Sequence, residues 1–231
     1  MREIALDTET TGMDPTTGDR IIEIGAVEMF NHIPTGQSLQ LYINPERDIP
    51  AEATAVHGIT NDFVKDKPVF SQVFDEFIAF LGKDSKLVIH NAEFDMKFIN
   101  HELAAVGHPA ISWSRVIDTL AIARKKFPGS PANLDALCRR FGIDNSDRTY
   151  HGALLDSELL AEVYLELLGG RQHGLGLAAQ SQKAADDAAQ TKRAARKFRD
   201  PRPHNASEDE RTAHAALIEK LDDAVWKKQS A

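Results

Sequence analysis

The pattern of Arg2-Glu-Ile-Ala-Leu-Asp-Thr8 predicts a strand at the start of the chain. Gly12, Asp14, Pro15 and Gly18 then mark a loop. Ile21, Ile22, Ile24, Ala26 and Val27 predict a second strand, and Leu39–Asn44 a third. Short strands joined by turns favour antiparallel neighbours. From about Pro68 to Leu81, Val69, Val73, Phe77 and Phe80 fall roughly on one face of a helix. Leu87–His90 predicts a short buried strand that leads into a helix from about Ala92 to Val106. Residues 115–118 predict another short strand, and 119–126 and 133–140 helical segments parted by Pro128, Gly129 and Pro131. A long helix is expected from about Ala153 to Leu168, stopped by Gly169-Gly170. Three strands, then strands alternating with helices, predict an α/β fold with a mixed sheet flanked by helices.

After Gly170 the pattern changes. Residues 178–203 are Ala, Gln, Lys, Arg and Asp with almost no large apolar side chain, which predicts a flexible linker. Helical character returns over 207–228, where Ser207 is a candidate cap with Glu210 three residues on, ahead of Ala213, Leu217, Leu221 and Val225.

Composition adds less. Hydrophobic residues make up 42% and charged residues 27% of the 231, as expected of a globular chain. No apolar run approaches the roughly 18 residues of a membrane span. The single cysteine, Cys138, excludes an intrachain disulfide, and no signal peptide is expected at Met1. The expected location is cytoplasmic. The net charge of −8 is uneven: residues 178–203 carry +4, residues 204–231 carry −2, and residues 1–177 carry −10. An acidic body can still bind a polyanion if many of its carboxylates hold divalent cations, a question that composition leaves to the motifs.

The acids therefore decide the chemistry. In a strand, Asp7 and Glu9 share a face, and two like charges held that close call for a cation or a proton between them. The plain alternative is a solvated strand end. Asp95 heads a helical stripe with Phe98, Ile99, Leu103 and Val106, where an apolar residue is expected. The alternative there is a carboxylate satisfied by the helix N-terminus. Asp156 heads a second such stripe with Leu159, Leu160, Val163 and Leu167, and His151 precedes it in a loop. A lone histidine in that position is otherwise a structural one. Taken together, four inward acids without matching inward cationic side chains require metal ions, and hard oxygen donors suit Mg²⁺ or Mn²⁺. Two such ions about 4 Å apart clamp the attacking and leaving oxygens of a phosphodiester, and a histidine is the natural base for the attacking water.

These residues resemble the DEDD exonuclease superfamily, of ribonuclease H-like fold. Its Asp-x-Glu motif matches Asp7-Thr-Glu9, its Asn-x-x-(Phe/Tyr)-Asp motif matches Asn91-Ala-Glu-Phe94-Asp95, and its His-x4-Asp motif matches His151 to Asp156. The Tyr-x3-Asp form fails because position 152 is glycine, so the likeness is to the histidine subclass. Leu6–Met13, Ile21–Val27, Val56-His-Gly-Ile59 and Asn133–Cys138 are further similar to the epsilon family, the proofreading subunits of bacterial DNA polymerase III. The resemblance implies a 3′→5′ exonuclease removing mispaired ends, with Asp7, Glu9 and Asp156 on one ion, Asp7 bridging to a second, Asp95 assisting, and His151 as general base. It implies that Glu52 and His57 lie near the terminal nucleotide of a single-stranded 3′ DNA end. It also implies a layout: an exonuclease domain over 1–170, a sliding-clamp motif over 171–177 with Gln172, Leu175 and Leu177, a linker over 178–206, and a segment over 207–231 that binds the polymerase catalytic (alpha) subunit through Leu217, Leu221 and Trp226.

Competing readings are an exonuclease acting on RNA or short oligonucleotides, a catalytically silent scaffold subunit, and a metal-free two-carboxylate hydrolase. The intact acid set argues against the scaffold, and chelation separates the last.

Overall fold

The computed structural model describes residues 1–146, 150–170 and 205–220. The chain divides into two units, Met1–Gly174 and Leu175–Ala231. The first is built on a five-stranded sheet in the order β3-β2-β1-β4-β5, with β1 (Arg2–Thr10) at its centre, β2 (Ile21–Phe30) and β3 (Ile33–Tyr42) on one side, and β4 (Lys86–Ile89) and β5 (Val116–Asp118) on the other. β1, β2 and β3 pair antiparallel, and β1, β4 and β5 pair parallel. This is the expected mixed sheet.

Helices α1 (Ala51–His57), α2 (Asn61–Val64) and α3 (Phe70–Leu81) follow β3; α4 (Ala92–Ala105) follows β4; α5 (Thr119–Lys126), α6 (Leu134–Phe141) and α7 (Ala153–Leu167) follow β5. One face of β1, through Ile4 and Leu6, packs with Phe70, Phe77, Phe98, Ile99 and Leu103 of α3 and α4. The opposite face, through Ala5, packs with Leu137 and Cys138 of α6 and Leu159, Leu160 and Val163 of α7. Strand alternation thus sends Asp7 and Glu9 toward the α7 side, and Thr8 toward α4.

Two regions depart from expectation. β2 and β3 run on to Phe30 and from Ile33, joined by Asn31-His32 with φ of 50° and 68°. That two-residue turn with both φ positive gives the twist a hairpin needs, and asparagine tolerates it. The first half of β3 is exposed, so its apolar pattern is silent. The short helices α1 and α2, of 7 and 4 residues, carry too few turns for a periodic stripe to show.

The placing of α7 depends on β2. A Cβ at Gly25 would lie 2.1 Å from the Ala153 carbonyl carbon, so only glycine lets the helix come this close. Ser157 Oγ donates to Gly25 O at 2.9 Å. Gly152 offers no side-chain cap, and the buried Glu23 accepts from Ala153 N at 3.1 Å instead, a carboxylate at a helix N-terminus. Toward the other end of α7, Tyr164 Oη donates to the fully buried Glu3 at 2.9 Å, and Glu3 also accepts from the turn residue His32.

In the second unit, α8 (Glu208–Glu219) starts at the expected cap: Ser207 and Glu210 exchange the two bonds of a capping box. Leu217 is exposed on it. Gln172, Leu175, Leu177, Leu221 and Trp226, with almost all of the expected linker, lie outside the described residues. Among the described residues no helix is long and apolar enough to cross a membrane.

Gly25→Ala must push α7 off the sheet, and overpacking of this kind costs about 1–3 kcal/mol. The expected outcome is a lower urea midpoint at unchanged slope; an unaltered midpoint would contradict the close approach of α7 to β2.

Candidate active site

The carboxyl ends of the parallel strands β1 and β4 open onto a cleft of about 430 Å³. Its walls include Asp7, Glu9, Asp95, His151 and Asp156, so the structure brings together the five residues singled out in the sequence. β1 supplies Asp7 and Glu9 from its end. Asp95 comes from the first turn of α4 and Asp156 from that of α7, each at the head of its buried stripe. His151 lies just before α7, on the segment that Gly152 joins to the helix.

Two carboxylates are deeply placed, Asp95 and Asp156 each being 3% exposed. Burial pushes the Asp95 carboxyl up to about 7, against the opposing pull of the Thr8 hydroxyl, which donates to it at 2.7 Å. His151 Nδ1 stands 3.6 Å from Asp156 Oδ2. Glu9, His151 and Asp156 each offer a donor atom within 4.8 Å of the others, a grouping able to hold a metal ion. Two carboxylates and one imidazole around such a point, with the Asp7 and Asp95 carboxylates lining the same cleft, are a donor set for a hard divalent cation.

A second cavity of about 480 Å³ adjoins the cleft and shares Thr8, Glu9, Met13 and Phe94 with it. Glu52 and His57 of α1 line this second cavity. His57 is buried, and burial together with the nearby His151 holds its pKa below the ordinary histidine value. Its Nδ1 accepts from Ile59 N at 3.0 Å, which puts the proton of the neutral ring on Nε2. Nε2 is buried and has no hydrogen-bond partner among the described residues. A buried N–H left in that state costs about 1–3 kcal/mol.

Sequence reasoning missed several groups that build the site. Thr8 was passed over as the spacer of Asp7-Thr-Glu9, yet its hydroxyl holds Asp95. Asn91 has φ of 63° and turns β4 into α4, so the motif asparagine has a backbone reason. Its N–H donates to Asp118 Oδ1 at 3.3 Å. Glu23 caps α7, and its signal was available: an acid inside the apolar run Ile21–Val27, two residues before Gly25.

The Exonuclease family, RNase_T, matches residues 4–164. The DNA polymerase III subunit epsilon of Rickettsia felis is 58% identical over 175 residues, covering 74% of this chain and 76% of that protein. The Escherichia coli K12 protein of the same name is 49% identical over 177 residues, covering 74% and 72%. That of Salmonella typhimurium is 44% identical over 226 residues and spans 94% of this chain and 92% of its own. Among solved structures, exonuclease X in complex with 5′ overhanging duplex DNA is 26% identical with a TM-score of 0.55, covering 72% of this chain and 90% of its own. The nuclease domain of 3′hExo, a DEDDh family member bound to rAMP, shares the fold at 22% identity and a TM-score of 0.62, covering 72% and 91%.

The raised Asp95 carboxyl sets a pH dependence. Between its ordinary value of 3.8 and about 7, the folded protein binds a proton that the unfolded chain does not, so this group's contribution to stability falls as pH rises through that window. In EDTA, Asp95→Asn is expected to stabilise the protein at pH 8 by on the order of 1–3 kcal/mol, and the gain should shrink toward pH 5. Urea melts of both proteins at the two pH values check this; a gain that is equal at both would refute the raised carboxyl.

The match over the body of the chain, the solved folds and the epsilon relatives agree: this chain belongs to the exonuclease family, within it to the DNA polymerase III epsilon subunits.

Proposed function

We propose that this 3′→5′ exonuclease subunit proofreads for a replicative DNA polymerase. It removes mispaired 3′-terminal nucleotides as 5′-monophosphates, using two divalent ions, Mg²⁺ or Mn²⁺, held by Asp7, Glu9, Asp95 and Asp156. The observation that carries the reading is the convergence of Glu9, His151 and Asp156 donors within 4.8 Å, in a cleft that Asp7 and Asp95 also line. Bound divalent ions would supply charge neutralisation at the phosphodiester and acidity to the attacking water.

The remaining work falls to side chains of this chain. With Nδ1 turned toward Asp156 Oδ2, His151 presents Nε2 as the atom that takes the proton of the water. The water oxygen bonds to phosphorus as the bond to the 3′-oxygen breaks, which leaves a 3′-hydroxyl on the shortened strand and a nucleoside 5′-monophosphate. Thr8 keeps Asp95 aimed at the cleft. The cavity beside Glu9 receives the terminal nucleotide, where Glu52 offers an acceptor for the sugar hydroxyl and His57 Nε2–H, without a partner among the described residues, a donor.

The tail reading rests on the Salmonella relative, whose similarity runs through almost the whole chain, and on α8, which leaves Leu217 exposed. In this reading residues 1–170 are the nuclease, and Gln172, Leu175 and Leu177 dock on the sliding clamp. Residues 178–206 are a tether, and 207–231 bind the polymerase alpha subunit through Leu217, Leu221 and Trp226.

Digestion of a 3′-mispaired primer with and without Mg²⁺ tests the chemistry. EDTA should abolish it, and Asp7→Ala should lower kcat by about 10³-fold or more. Activity that survives either treatment overturns the two-ion mechanism, and equal cleavage of an RNA strand overturns the DNA proofreading assignment. Deleting residues 178–231 should spare nuclease activity and abolish co-elution with the alpha subunit; a truncated protein that still co-elutes sinks the tail assignment.

A further inference from the structure

His151 sits in an exposed position for a group that must hold a proton-transfer geometry, its side chain being 49% exposed. No helix holds its backbone, since α7 begins at Ala153. The end of α1 holds it. The Val56 carbonyl, one of the last of that helix and so without an intrahelical partner, accepts from His151 N at 3.1 Å. Next to it, the Tyr150 ring lies on Gly58: a Cβ there would meet Tyr150 Cγ at 3.2 Å. Gly58 caps α1 in the left-handed region, φ 73°, with its N–H on Thr54 O. It therefore serves twice, closing the helix and leaving a flat backbone surface for the ring.

The same turn carries His57, whose ring is held by the Ile59 N–H and lines the cavity with Glu52. Val56, His57 and Gly58 thus face two ways. His57 meets the cavity assigned to the terminal nucleotide, while Val56 and Gly58 grip the backbone and the neighbour of His151. On the proposed nuclease reading, we infer that this turn is the strut that couples the nucleotide cavity to the general base, and that Tyr150 is a positioning residue for His151. Tyr150 is 59% exposed, so its ring is not there to fill a core. Without the ring on Gly58, the segment loses the packing that stands beside its hydrogen bond to Val56 O. A base displaced by even an ångström loses rate but not substrate affinity.

The test is steady-state kinetics of the full-length protein on a single-stranded DNA oligonucleotide with Mg²⁺. Tyr150→Ala should lower kcat about tenfold with KM within about twofold of the parent. Tyr150→Phe keeps the ring and should restore kcat. Gly58→Ala crowds the same contact from the other side, so Tyr150→Ala and Gly58→Ala should combine to no more than the larger single loss. The inference is overturned by a parental kcat in Tyr150→Ala, by a loss confined to KM, by a Phe variant as slow as the Ala variant, or by fully additive losses. A parent without metal-dependent nuclease activity defeats the functional reading and this inference together; an active parent with an unaffected Tyr150→Ala defeats the inference alone.

Discussion

The close approach of α7 to β2 at Gly25 is the contact on which the site depends. Asp7 pairs with Gly25 in the β1–β2 register, so the missing side chain lies directly beside the first acid of the site. Any Cβ there would stand in the Ala153 backbone and hold the helix away. Asp156 is one turn into that helix and His151 just before it, and both would leave Asp7 and Glu9 with it. Glu23 and Ser157 then lock the helix with bonds to its first N–H and to the glycine carbonyl. A residue with no chemistry of its own thereby determines whether the chemical residues meet.

The site straddles the central strand. Asp7 and Glu9 face the α7 side, whereas Thr8 turns the other way and reaches Asp95 on α4. Three consecutive residues thus collect acids from both faces of the sheet at the end of one strand. The arrangement concentrates negative charge where burial makes it costly, as the raised Asp95 carboxyl records. Such a cost is tolerated where a cation is to be bound, and the four site acids supply part of the negative charge of the body.

The sequence made the acids legible because each breaks a strong pattern. Asp95 and Asp156 stand where a 3.6-residue stripe calls for an apolar side chain, and the structure buries both. The sheet was readable for the same reason, through the apolar runs of β1, β2 and β4. What escaped was everything without periodicity. The outer half of β3 is polar and exposed, and α1 and α2 are too short to show a stripe. The grip of α1 on the His151 segment joins residues about a hundred positions apart, through a carbonyl and a glycine that any sequence could contain. Thr8 and Glu23 were in plain view, but their roles are set by neighbours that only the fold supplies.

The order in which the chain is made gives the β2–α7 contact a further meaning. Asp7 and Glu9 lie on the first strand of their unit and α7 is its last helix, so the two acids are synthesised well before the helix that completes the site. A contact spanning so much chain forms late, because loop closure must precede its reward. Until residues 153–167 are synthesised and settle on Gly25, the strand pairs and α4 have no helix to complete them. Until then Asp7 and Glu9 stand without Asp156 and His151 beside them, so the group of donors that defines the site is complete only when the closing helix is in place.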